Sequence, residues 1–302
     1  MPVTSNSRAE VDLDFGRYVL RRRGAAEAQV RDGAVYAYSG EHKVRRTLAM
    51  ARPVTLAIEA TVRLWQTVAR SELLGTAVKV TDAQFPRLHA IAARCAAVLH
   101  IPTPAVYVSP AIGELNARTL GTEEDAYIVV NGALIDHLTD DELTFVIGHE
   151  CGHIHNGHVV FATALHYLTE AASFYVRWIV QPAILALRAW SRRAEVTCDR
   201  AGLLCTRSID VANAAMVKLA LGSQKLYKDL KIDEYLKQLP EGRKGFGRFT
   251  EVFRSHPYVP KRIEALRAFS ETELYRRHAG LGQDGTATHD CDEAVAKILS
   301  VI

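Results

Sequence analysis

Apolar residues along this chain recur mostly at the helical spacing of three or four, and only short runs carry the β-branched or alternating pattern of strands. The pattern predicts a helix from Pro53 to Ser71, a short strand at Ala77 to Val80 and an amphipathic helix from Asp82 to His100. Strands at Ala105 to Val108 and Ala126 to Val130 follow. The second of these leads to a helix around His149, and after Asp199 helical patterns dominate to Leu266. Residues 1–50 are polar and basic with Gly24, Gly33 and Gly40 as breakers, which predicts a loosely structured extension holding at most one hairpin. Residues 51–270 then form the main domain. Residues 271–302 form a tail with Gly280, Gly282 and Gly285 followed by a short helix from Asp292 to Leu299. No internal repeat or low-complexity tract interrupts this order, and the fold class is α+β, predominantly helical with a small β-sheet.

One helix carries recognisable chemistry. Thr139 followed three residues later by Glu142 makes a capping box, and Asp140 and Asp141 suit the positive end of the helix dipole. The apolar residues Leu143, Phe145, Val146 and Ile147 lead into His149-Glu150-Cys151-Gly152-His153, an HExxH pentapeptide. Residues four apart on a helix project from one face, so His149 and His153 can hold one tetrahedral Zn²⁺ while Glu150 reaches the open coordination position. That set is suited to hydrolysing peptide bonds by attack of a metal-bound water, with Glu150 as general base.

A third ligand is expected downstream. Glu195 is the first good candidate after a long helical region. Asp199, four residues on, shares its face and can accept the N–H of a metal-bound imidazole. The competing reading is an ordinary charged face in which Glu195 and Asp199 pair in solvent with Arg192, Arg193 and Arg200. Cys151 lies about 200° around the helix from His149 and reads as a buried structural thiol. Cys198, three residues after Glu195, borders the metal face and stays open as an alternative ligand or an oxidisable thiol. His155 points away from the metal, and His158 suits the negative end of the helix dipole.

With these residues in view, the chain resembles gluzincin metallopeptidases of the HtpX and CAAX prenyl endopeptidase type. The likeness rests on Val146 to His158 as the motif helix, and on Ser191-Arg192, Glu195 and Cys198 to Gly202 as a second motif. It also rests on Asn116-Ala117 as the pair at an active-site edge strand, and on His256-Pro257 with Lys261-Arg262-Ile263 as a late element. It spans about Gly75 to Leu266 and implies a zincin-like fold, one zinc ion per chain and a peptide or protein substrate. It further implies that Asn116 and Arg262 contact that substrate and that His256 stands near the scissile carbonyl; an ordinary loop histidine before Pro257 is the competing reading. Cys151, Cys198 and Arg118 depart from the pattern, and Arg118 bears on substrate preference. A reading from a different class is a catalytically inactive metal-binding scaffold or adaptor that keeps the fold.

Composition narrows the setting. The 302 residues are 48% hydrophobic, and a net charge of +3 is too slight to indicate nucleic acid as a partner. Five cysteines, odd in number and without a CxxC pair, argue against a disulfide framework and for a reducing, cytoplasmic compartment. The N-terminus lacks an apolar signal-peptide core. The two most apolar stretches, Pro53 to Val68 and Val159 to Trp190, are broken by charges, so no transmembrane helix is expected. Phe174 and Trp178 share a helix side that fits either packing against the catalytic helices or peripheral contact with a membrane.

Overall fold

The computed structural model describes residues 34–50, 56, 58, 71, 75–110, 115–122, 125–170, 174–237 and 258–300. Its sheet is formed by β1 (Val78–Lys79), β2 (Ala105–Ser109), β3 (Ala117–Gly121) and β4 (Ala126–Asn131) in the order β1-β2-β4-β3. β2 and β4 run parallel, while β1 pairs with β2 and β3 with β4 antiparallel, which leaves β3 at an edge. Alternation along the strands divides the core. Val106, Ile128 and Val130 join the main hydrophobic cluster, whereas Tyr107, Leu120, Tyr127 and Val129 form a separate one on the opposite face.

Helices surround this sheet. In chain order they are α1 (Ser39–Met50), α2 (Pro86–Val98), α3 (Gly132–His137), α4 (Asp140–His155), α5 (Val159–Glu170), α6 (Phe174–Thr206) and α7 (Ile209–Leu221). The short α8 (Gln224–Tyr227) and α9 (Ile232–Leu236) follow, then α10 (Val259–Ser270), α11 (Glu273–Ala279) and α12 (Thr288–Leu299). The helix expected to carry the HExxH residues is α4, and it begins with the capping box: Thr139 Oγ1 accepts from the Glu142 N–H, and Glu142 accepts from the Thr139 N–H. Glu142 is also clasped by Lys218 of α7, whose Nζ lies 2.6 and 2.9 Å from its two carboxylate oxygens.

The pairing of α4 with α6 positions the site, and small residues permit it. A Cβ on Gly148 would stand 2.8 Å from the Cβ of Cys205, and one on Gly152 would stand 2.8 Å from the Cβ of Ala201. Gly202 on α6 is equally constrained, since a Cβ there would come within 2.7 Å of the Phe145 carbonyl oxygen. Larger residues at these positions would force the helices apart and carry the side chains of α6 away from those of α4.

Both ends of the described chain are tied to this pair. Residues 34–50, expected to be a loose extension, instead hold α1, with Tyr36 and Tyr38 in the main core. Their anchor is Arg200 of α6, which the charged-face reading put in solvent. It is fully buried, donates to Asp292 Oδ1 of α12 at 2.7 Å and to the Tyr36 carbonyl at 3.2 Å, and lies 4.7 Å from the Phe269 ring centre. Asp292 Oδ2 in turn accepts the Ser39 N–H at 2.9 Å. Apart from residues 56, 58 and 71, the expected helix from Pro53 to Ser71 lies outside the described residues, as do the side chains of Phe174 and Trp178. Among the described residues no helix is long and apolar enough to cross a membrane.

Candidate metal centre and active site

His149 and His153, one turn apart on α4, present their Nε2 atoms to one carboxylate. Nε2 of His149 is 3.6 Å from Glu195 Oε2 and Nε2 of His153 is 3.7 Å from Glu195 Oε1, so the α6 side chain straddles both rings. All three residues are buried. The opposite ring edge of His149 is held by Asp199, whose Oδ1 lies 3.0 Å from Nδ1. Burial alone would raise the Asp199 pKa, but Arg262 and His149 outweigh it and the carboxyl is held below its ordinary range. An ionised carboxylate only accepts, so Nδ1 of His149 carries the proton and Nε2 keeps its lone pair for a metal.

Arg262 of α10 locks this arrangement. Its Nε and Nη2 reach the two Asp199 oxygens at 2.8 and 2.6 Å, and Nη1 lies 3.0 Å from Glu195 Oε2. The side chain thus fastens two carboxylates of α6 while also lining the cleft. Glu150 occupies the same cleft and is held from β3. Thr119 Oγ1 lies 2.7 Å from Glu150 Oε2 and 3.1 Å from the Glu150 carbonyl oxygen. Nothing in the sequence signalled Thr119, because a single threonine in a strand has no motif.

His158 is the other residue the sequence did not reveal. It follows the end of α4, where the dipole reading put it, and is fully buried there. Its Nδ1 is 3.3 Å from Nδ1 of His153, and its Nε2 is 3.5 Å from Glu41 Oε2. Glu41 Oε1 accepts the indole N–H of Trp190 at 2.8 Å. If Nε2 of His153 is to bind a metal, its proton sits on Nδ1 and points at His158, whose own proton then faces Glu41. His149 is thus backed directly by the Asp199 carboxylate, and His153 by His158, which stands 3.5 Å from Glu41.

Cys198 also approaches the histidines, and a His149, His153 and Cys198 set has ligand atoms within 4.8 Å of one another. Glu195 is the other donor within reach of both rings. The Cys198 sulfur lies 3.5 Å from His158 Nδ1. Burial first, then the carboxylates of Glu195 and Glu150, push its thiol pKa well up. The two imidazoles and the carboxylate of Glu195 make a nitrogen and oxygen donor set that fits a zinc ion.

Of the remaining expected residues, Asn116 is exposed at the cleft, with its carbonyl accepting the Asn131 N–H at 3.0 Å. Cys151 is buried in the core, and His155 faces the Tyr36 hydroxyl at 2.9 Å. His256 lies outside the described residues.

The profile of Peptidase family M48 matches residues 82–270. The chain belongs to this family. The M48 match covers β2 to β4 and the helices α2 to α10, and leaves out β1 and also α1, which supplies Glu41. Over 173 residues the chain is 36% identical to the plastoglobule-localized metallopeptidase 48 of Arabidopsis thaliana, covering 55% of this chain and 49% of that protein. It is 25% identical to a Protease HtpX homolog of Moorella thermoacetica, over 67% of this chain and 78% of the relative. A Protease HtpX homolog of Streptomyces coelicolor is 29% identical, over 63% and 73%. The chain thus spans about half the length of the plant relative and about three quarters of the two bacterial ones. No solved structure matches it. The family that the chain matches is one of peptidases.

Proposed function

We propose that the chain is a zinc-dependent endopeptidase with His149, His153 and Glu195 as metal ligands and Glu150 as general base. The observation that carries this reading is the convergence of two Nε2 atoms on the Glu195 carboxylate, with the Glu150 carboxylate in the same cleft. Zinc bound there supplies a Lewis acid that eases ionisation of a water and polarises a peptide carbonyl. Glu150 takes the proton from the attacking water and delivers it to the leaving nitrogen, so that one water is consumed for each amide broken. Thr119 holds Glu150 at the reacting atoms. Asp199 and His158 fix the tautomers of the two histidines, and Arg262 keeps Asp199 and Glu195 in place. From the resemblance alone, His256 is assigned as a donor to the developing negative charge on the carbonyl oxygen. Asn116 is assigned as a substrate contact at the edge of β3.

The inactive-scaffold reading has less support, since a scaffold has no use for a carboxylate such as Glu150, held at the cleft by Thr119. Incubating the purified protein with denatured casein, with and without a chelator, tests the function. Cleavage that stops on chelation and returns with added zinc is expected. Absence of cleavage by zinc-loaded protein would overturn the reading.

A further inference from the structure

Beside the candidate zinc ligands lies a second cluster of donors. Nδ1 of His158 is its shared corner, 3.3 Å from Nδ1 of His153 and 3.5 Å from the sulfur of Cys198. The Cys198 sulfur in turn lies within 4.8 Å of a ring nitrogen of His153. All three side chains are buried, those of His158 and Cys198 completely. The tight approach of α6 to α4 at Gly152 holds Cys198 there, since a Cβ on that glycine would stand 3.1 Å from Cys198 Cα. Nε2 of His158 faces Glu41 Oε2 at 3.5 Å, the carboxylate support that a metal-binding imidazole commonly has on its other nitrogen. A cavity of about 410 Å³ lined by His153 and Trp190 comes within one ring of the cluster, because Trp190 packs against His158 with ring centres 5.3 Å apart.

These spacings suit an ion. A first-row metal holds imidazole nitrogens at about 2.0 Å and a thiolate at about 2.3 Å, so its neighbouring donors lie about 3.3 to 3.7 Å apart. Charge then selects the ion. Glu41 is matched by Arg45, whose Nε lies 3.8 Å from its Oε1, and the Cys198 thiolate supplies one negative charge. A monovalent ion makes that unit neutral, whereas an unmatched charge in a fully buried place is costly. Thiolate and imidazole donors together favour Cu(I). We propose that His153, His158 and Cys198 form a site for Cu(I), and that its occupation excludes the catalytic zinc. Binding sends the Cys198 thiol proton to solvent and moves the His153 proton from Nδ1 to Nε2, with no change of oxidation state. A neutral imidazole offers one lone pair, and Nε2 is the nitrogen the zinc needs, so the ring serves one ion at a time. The exclusion rests on the endopeptidase reading, and copper binding itself does not.

The test is anaerobic titration of metal-free protein with Cu(I) against a Cu(I)-selective chelating dye, together with X-ray absorption at the copper edge. Wild type should hold one equivalent more than Cys198→Ala, and that copper should have one sulfur and two imidazole nitrogens as neighbours. His158→Gln should hold it over roughly 100-fold more weakly, beyond what loss of an outer partner costs. Copper-loaded wild type should bind zinc roughly 100-fold more weakly than copper-free protein, whereas zinc binding by Cys198→Ala should not respond to copper. Equal copper uptake by wild type and Cys198→Ala would overturn the site, and so would a copper shell without that sulfur or those nitrogens. The absorption spectrum is read on wild type, so it decides even where a variant does not fold. Zinc affinity unchanged by copper would overturn the exclusion. Should copper-free protein take up no zinc, the endopeptidase reading fails, and the copper spectrum still upholds or overturns the site.

Discussion

His158 Nε2 faces Glu41 Oε2 across 3.5 Å in the fully buried space behind the metal site, joining α1 to the end of the HExxH helix. Glu41 lies outside the M48 match, yet through His158 it bears on the tautomer of His153. Glu41→Gln keeps the size of the side chain and its bond to Trp190 while removing the charge. It should weaken zinc affinity roughly 10-fold, as loss of an outer hydrogen-bond partner does. Titration against a competing chelator measures this, and unchanged affinity would detach Glu41 from the site.

The same carboxylate predicts a pH dependence. Burial favours the neutral acid, but His158, Arg45 and the Trp190 indole outweigh it and lower the Glu41 pKa from 4.5 to about 2. A carboxylate depressed in the folded state contributes stability that is complete above the unfolded pKa and is lost as pH falls through the folded one. About 3 kcal/mol should therefore disappear as pH falls from 4.5 to about 2. In metal-free protein, the gap in denaturation midpoint between wild type and Glu41→Gln should narrow from about pH 6 to about pH 3. A gap independent of pH would contradict the assignment.

The choice between Glu195 and Cys198 as third ligand is open to direct test. Glu195→Ala should lose most of its zinc, Asp199→Ala should bind it roughly 10- to 100-fold more weakly, and Cys198→Ala should stay within about twofold of wild type. Metal analysis after dialysis separates these outcomes. Retention by Glu195→Ala with loss in Cys198→Ala would move the ligand to the thiol.

Thr119 Oγ1 contacts Glu150, the proposed base. Removing its hydroxyl in Thr119→Val should lower kcat about 10-fold, the worth of one hydrogen bond to a charged group, with zinc content unchanged. Wild-type kcat in this variant would show that Glu150 is positioned by other contacts.

What the sequence revealed was local. The capping box, the four-residue spacing of His149 and His153 and that of Glu195 and Asp199 are all set within single helices, so periodicity exposes them. The small residues Gly148, Gly152, Ala201 and Gly202 went unread in the sequence, and only the structure shows that they let α4 and α6 approach closely. The contacts the sequence missed join distant segments. Glu41, His158 and Trp190 meet only in the fold, as do Arg200 with Asp292 and Thr119 with Glu150. In each case a polar residue that reads as solvated in isolation is buried because its partner arrives from elsewhere in the chain.

The central claim is that Glu150 activates the water without holding the metal. Glu150→Gln preserves shape and removes the base, so zinc content and peptidase activity measured on the same preparation test it most directly. The account predicts full zinc occupancy with activity reduced at least about 1,000-fold. Substantial casein cleavage by the zinc-loaded variant would contradict it.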